Sequence, residues 1–248
     1  MTKSSESSQP TISSSESRRR FYIVGPDLAR NPSDAKFANK DTTLVDGCWI
    51  GKHNFPAPGY RVPFNMGIPA MREKPRLVVA PSRRKPIDIY GFGNPHFVSS
   101  RAKELLQSID PDAFEFAECD TVNAGGKPIK PYWMMAVIRA VLGFDEERSD
   151  FLTLSQLYPE AEDQRDNPNI SRLNDIYLPD GFPTDYHAFY FVRYQSYFIF
   201  DGTLVDAWRE AKLTGALFTP LQPPTKVDRK DELSFWNRPF WSDRGSQS

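Results

Sequence analysis

The chain has 248 residues, 31 Lys+Arg against 32 Asp+Glu, and 39% hydrophobic residues, with aromatics at 13% of the total. That length accommodates one large domain or two small ones and supports a substantial core. A formal charge of −1 is not the basic surplus of a dedicated nucleic-acid binder. No apolar run reaches the ~18 residues of a membrane span.

The N-terminus, MTKSSESSQPTISSSES, lacks the apolar stretch of a secretory signal. A cytoplasmic protein is therefore expected, with Cys48 and Cys119 reduced and half-buried rather than paired. Residues 1–17 hold eight serines, a single isoleucine and no aromatic residue. Such a segment cannot offset an ordering cost of ~1–2 kcal/mol per residue, so residues 1–20 are read as disordered. Arg18, Arg19 and Arg20 close it as a solvated entry to the first strand.

A single domain is expected over residues 21–222. Phe21-Tyr22-Ile23-Val24 is β-prone and is ended by Gly25-Pro26. Residues 44–95 are so rich in Pro and Gly that short strands fit better than helices, as at Leu77–Ala80 and Ile87–Tyr90. Ser99 or Ser100 then caps a helix over 99–109 whose apolar positions are Ala102, Leu105, Leu106 and Ile109. Glu104 is misplaced for a reciprocal capping box, and Pro111 stops the helix. Phe114–Phe116 alternates as a strand does, and Gly125-Gly126 marks a turn. From Tyr132 to Phe144 the chain is apolar almost throughout, which fits a buried strand or a buried helix equally.

Residues 145–185 read as a polar, loop-like stretch with eleven Asp/Glu against three Arg, a net −8, whereas residues 1–106 carry seventeen Lys/Arg against nine Asp/Glu, a net +8. The neutral total thus hides a charge asymmetry along the chain. His187 to Phe200 reads as two strands joined at 194–196. Asp201 caps a second helix, over 202–212, with Leu204, Val205, Trp208 and Ala211 as its apolar stripe and Gly215 ending it. Ala216–Phe218 is the last core strand, and residues 223–248 form a tail whose Phe235, Trp236, Phe240 and Trp241 point to docking. The order apolar strand, cap, helix, turn, strand occurs at both 97–116 and 198–218. That is the pattern of an internal duplication, although the side chains match poorly.

Chemistry-bearing motifs are sparse. His53, His96 and His187 lack a second ligand at helical or C-x-x-C spacing, and His96 reads as a hydrogen-bonded core residue. Gly91-Phe92-Gly93-Asn94-Pro95 lacks the third glycine and the Lys-Ser/Thr of phosphate loops and reads as a turn. No nucleophile elbow is present, and neither cysteine adjoins a histidine. The aromatics of 189–198 are accompanied only by Arg193, so they suit core strands better than a nucleic-acid stacking platform. The paired carboxylates lie in a polar run where all should ionise, which is unsuited to acid–base catalysis and suited to steering a basic partner.

Three segments, in this order, resemble a bacterial immunity-protein family of the polymorphic toxins, the eleventh so numbered and formerly a domain of unknown function. They are HFVSSRAKELLQSIDPDAFEF (96–116), the apolar run from Tyr132 ending LGFDEERS at Ser149, and FIFDGTLVDAWREAKLTGALFTPL (198–221). The resemblance covers roughly residues 85–221, with a vaguer match upstream through Trp49. It departs at Phe200-Asp201, where the family tends to have Val-Ser, a change that preserves the cap.

The resemblance implies that the 132–144 run is a strand and that the fold is α+β; with the Pro- and Gly-rich 44–95 stretch, the expectation is mainly antiparallel sheet with two principal helices, about 99–109 and 202–212, and a β- and loop-rich N-terminal half. It further implies a cytoplasmic antidote that binds a cognate protein toxin; with no catalytic or metal-ligand motif in the sequence, stoichiometric, non-enzymatic binding without cofactor or metal is expected. The acidic residues Asp145, Glu146, Glu147, Glu160, Glu162, Asp163 and Asp166 are the expected toxin-binding surface. The alternatives are a small hydrolase or transferase assembled from dispersed residues such as His96, Asp88 and Asp145, or an adaptor of a secretion or phage-derived system.

Overall fold

The computed structural model describes residues 19–27, 35–43, 53–55, 64–79, 86–91, 96–160 and 170–222. In chain order these form β1 (Phe21–Pro26), β2 (Ala35–Phe37), the single-turn α1 (Lys40–Thr43), β3 (His53–Phe55), β4 (Phe64–Met66), β5 (Arg76–Val79), β6 (Ile89–Tyr90) and β7 (His96–Ser99). Helix α2 (Ser100–Ile109), a 3-10 turn at Pro111–Ala113, β8 (Phe114–Glu118), β9 (Asp120–Asn123), β10 (Tyr132–Val137) and β11 (Ala140–Val141) follow. The chain continues through β12 (Asp150–Thr153), the short α3 (Leu154–Leu157), β13 (Ile170–Asp175), β14 (Ala188–Phe191), β15 (Tyr194–Asp201), α4 (Gly202–Glu210) and β16 (Ala216–Pro220). The fold is α+β, with sheet predominating. The serine-rich N-terminal residues 1–18, Cys48 and the aromatic tail 223–248 lie outside the described residues.

Two sheets dominate, a five-stranded one in the order β11-β14-β15-β1-β16 and a four-stranded one in the order β6-β7-β10-β8. Each contains a strand–helix–strand unit split by an antiparallel strand. β7 and β8 flank β10, and β15 and β16 flank β1. The repeated pattern read at 97–116 and 198–218 is therefore a repeated topology. Equivalent backbone bonds fix the correspondence. Ser99 N donates to Asp88 O and Asp201 N to His187 O, both at 2.9 Å, while Ile138 N donates to Ala113 O at 2.8 Å and Asp27 N to Gly215 O at 2.9 Å.

Alternation along the strands separates three apolar clusters. Tyr22 and Val24 of β1, Ala188 and Tyr190 of β14, Phe198 and Phe200 of β15, and Met135 and Val137 of β10 share one core with Leu106 of α2 and Trp208 of α4. The intervening residues of the five-stranded sheet, Phe21, Phe189, Phe191 and Ile199, pack outward against Phe144, Ile170, Leu173 and Ile176. Those of the four-stranded sheet, Phe97, Met134 and Ala136, pack against Leu77, Val79 and Cys119. Both sheets are thus covered on both faces, which is why their strands read as unbroken apolar runs rather than alternating ones.

Several local readings change. Residues 145–185 are not simply loop: β12 pairs antiparallel with β13 across two register shifts, and a capping box joins Thr153 and Gln156 at the start of α3. The β14–β15 turn falls at Val192-Arg193 rather than 194–196, since Phe191 pairs with Tyr194. Gly25 and Pro26 continue β1 against β16. Pro26 lies beyond the end of the β15 pairing, so its missing N–H leaves no gap on that side.

The residue that terminates helix α4, just past its cap Ala211, is Lys212 rather than Gly215. Lys212 is left-handed, with φ 53°, while Leu213 N reaches Trp208 O at 3.1 Å and Lys212 N reaches Arg209 O at 3.0 Å, the paired bonds of a Schellman cap. Gly215 instead permits close approach, because a Cβ there would stand 2.5 Å from Ile89 O. Denaturant melts should show Lys212→Gly gaining about 0.5–1 kcal/mol, since glycine removes the left-handed penalty. Gly215→Ala, which collides with backbone, should lose about 2 kcal/mol or more.

Candidate functional site

Ser99 and Asp201 precede the two long helices and cap them, accepting from Ala102 N at 3.2 Å and Leu204 N at 3.0 Å. Each cap is held by the residue opposite it in the sheet. Asp88 Oδ1 accepts from Ser99 Oγ at 2.7 Å, and Asp201 Oδ2 lies 2.9 Å from His187 Nδ1. The other Asp88 oxygen accepts from Thr214 N at 2.9 Å and Thr214 Oγ1 at 3.2 Å. Asp110 Oδ2, just past α2, accepts from His187 N at 2.8 Å and Ala188 N at 3.1 Å and pairs with Arg139. The segment trailing each helix therefore grips the strand entry of the other unit.

Arg19 extends this network. Its Nε and Nη2 donate to Asp201 Oδ2 at 3.2 and 3.0 Å, and its Nη1 and Nη2 reach the Pro183 and Tyr186 carbonyls at 2.7 and 2.6 Å. Arg139 lies over the Tyr186 ring, 4.2 Å from its centroid. Two arginines, two carboxylates and a histidine are thus assembled, yet each carboxylate is spent on backbone amides and guanidinium groups. The sequence pointed to Asp201 as a cap only. Asp110, Arg139 and His187 carried no local signal, because their partners lie far away in the chain.

The dispersed set His96, Asp88 and Asp145 is not brought together. Asp88 faces Ser99, three strand residues from His96 and so about 10 Å away along the strand. Asp145 lies on the surface, where Arg148 N donates to its Oδ1 at 3.1 Å. Half-buried His96 packs edge-on to Phe198 at 4.9 Å between centroids. It borders a small cavity of about 10 Å³ with Val24, Gly25, Ile89 and Gly215. The hydrogen bond expected of it is not found among the described residues. Burial pushes the Cys119 thiol up to about 12, far from a reactive thiolate. Among the described residues no group of three His, Cys, Asp or Glu is placed to hold a metal ion.

The acidic residues form the outer layer of the five-stranded sheet. Residues 144–160 and 170–186 hold eight Asp/Glu against Arg148 and Arg172. Arg148 Nη1 gathers Asp145 at 3.6 Å and Asp180 at 3.9 Å and stacks 4.8 Å from the Tyr177 ring centroid. Glu146 pairs with Arg193, and Asn174 Nδ2 donates to Asp150 Oδ2 at 3.1 Å. Glu147 and Glu160 are exposed. Asp145, Glu146 and Glu147 thus share a surface with Asp150 and Asp180, which were not singled out from the sequence. Glu162, Asp163 and Asp166 lie outside the described residues. The layer over the opposite sheet is basic, with five Lys/Arg against two Asp/Glu in residues 35–43 and 64–79. Among the described residues the two outer layers thus carry opposite net charge.

The described residues thus form a charge-polarised, layered α+β protein whose buried ionic groups brace the fold. The sequence profile of the Immunity protein family (Imm11) matches residues 20–222, and the chain belongs to that family. No curated protein was found to match it in sequence. No described helix is long and apolar enough to cross a membrane.

Removing Asp110 strands Arg139, whose side chain is only 13% exposed, together with two amides, so urea denaturation of Asp110→Ala should show a loss of about 3–5 kcal/mol. His96 gives a pH signature, since burial lowers its pKa from 6.5 to about 4. The folded state favours the neutral ring, so below the unfolded value the unfolded chain takes up the extra proton. Stability then falls as pH drops from about 6.5 to about 4 and levels off beneath, by about 3 kcal/mol. His96→Phe should flatten that part of the pH–stability curve.

Proposed function

We propose that this chain neutralises the toxic domain of a cognate secreted bacterial toxin by stoichiometric, non-enzymatic binding in the cytoplasm, using its acidic outer layer as the contact surface. Membership of the immunity family over residues 20–222 carries this reading. The charge distribution adds a mechanism. Eight carboxylates against two arginines in one layer attract a basic partner and orient it before contact, which raises the association rate more than the final affinity. Asp145 and Glu146 are held by Arg148 and Arg193, whereas Glu147, Glu160 and Asp180 project into solvent.

Co-expression with the toxin domain encoded beside the chain should restore bacterial growth, and the purified pair should form a complex of fixed stoichiometry. Stopped-flow association of the triple variant Glu147→Lys, Glu160→Lys and Asp180→Lys should be at least tenfold slower at low salt, with a shallower dependence on ionic strength. Unchanged on-rates across salt would remove the acidic layer from the mechanism. Absence of any complex with the wild-type chain would remove the antidote role itself.

A further inference from the structure

The edge of the five-stranded sheet beside the acidic layer is unusual in composition. Strand β10 leaves the four-stranded sheet and, after Ile138 and Arg139, runs on as β11, parallel to β14. The Arg139 and Val141 carbonyls face inward, accepting from Tyr190 N at 2.9 Å and Val192 N at 3.0 Å. Backbone groups alternate along a strand, so the N–H and C=O of Ala140 and Leu142 point away from β14. Among the described residues no strand pairs on that side. Exposed edges are commonly blunted by lysine, proline or a bulge, but this one reads Ala140-Val141-Leu142-Gly143. Leu142 is 58% exposed, more than any other large apolar side chain among the described residues.

The chain then turns directly into Asp145, Glu146 and Glu147, with Asp180 drawn in by Arg148. Glu146 meets Arg193 in the turn that follows β14. An open pairing edge, an apolar anchor and a dense negative rim thus adjoin one another. The rim selects positive charge, the edge selects extended backbone, and Leu142 offers one apolar contact of the kind that anchors interfaces.

We propose that β11 is the docking edge at which an extended, basic segment of the toxin adds as a further strand, with Leu142 as its apolar anchor. This rests on the antidote reading and specifies how the partner is held. The donor lost in Ala140→Pro faces away from the sheet, the orientation in which edge strands tolerate proline. Leu142→Ala tests the anchor without altering charge or backbone pairing.

The decisive measurement is amide hydrogen exchange on the full chain, alone and bound to the purified toxin domain encoded beside it, together with the affinities of the two variants. The Ala140 and Leu142 amides should exchange at least tenfold more slowly in the complex. Both variants should bind at least tenfold more weakly while melting as the wild type does, and Leu142→Ala decides the matter if Ala140→Pro fails to fold. A complex that forms with these amides unaltered and Leu142→Ala binding normally would overturn the edge while leaving the antidote reading intact. Protection already present in the isolated chain would assign the edge to its own tail if independent of concentration, or to a second copy if dependent on it; either overturns the proposal. No complex with the wild type would overturn both readings.

Discussion

The two sheets are joined by a reciprocal grip on backbone amides. Asp110, at the end of α2, takes the amides that open β14, and Thr214, at the end of α4, gives its amide and hydroxyl to Asp88 at the opening of β6. A carboxylate accepting backbone N–H groups in a water-poor site forms a strong, directional bond, and removing either side leaves an uncompensated polar group. Each helix is thereby anchored at its start within its own unit and at its end on the other unit. The core holding Trp208, Leu106 and Phe200 is enclosed by these anchors, and the outer layers rest on the sheets they align.

The grip also explains why the most highly charged interior region braces the molecule. Asp201 serves Leu204 N, His187 and Arg19 at once, and Arg19 carries the restraint on to the Pro183 and Tyr186 carbonyls. The segment bearing Asp180 and Asp185 is thus tied to the first strand of the fold. Charge that faces solvent on one layer is held in shape by charge buried beneath it, so the field presented to a partner has a fixed geometry.

Legibility from sequence followed the range of the interactions. Helices α2 and α4 were readable because Ser99 and Asp201 cap them within three residues, and the two-sided burial of the strands left apolar runs that only the family resemblance resolved into β10. Strands β12 and β13 were hidden because two register shifts break their alternation. Lys212 in a left-handed cap, with Gly215 reserved for the Ile89 carbonyl, shows a local rule overridden by a tertiary contact. The repeated topology was obscured because equivalent positions hold Asp88 and His187, or Ser99 and Asp201, which make matching contacts with unlike chemistry. The acidic composition was plain, whereas its convergence on Arg148 depends on Asp180, remote in sequence.

The position of β1 governs when the molecule can exist at all. Residues 21–26 form the strand between β15 and β16, and the Phe21 amide is closed by Gln222 Oε1 at 2.9 Å. Strand β1, made well before either partner, must therefore wait for residues 199–201 and 216–220 before it finds a neighbour. At ~5–20 residues per second that delay is on the order of ten seconds or more, during which its apolar face has no sheet to enter. Closure of the larger sheet is thus tied to synthesis through Pro220, and a chain stopped short of that residue would lack the pairing that closes it.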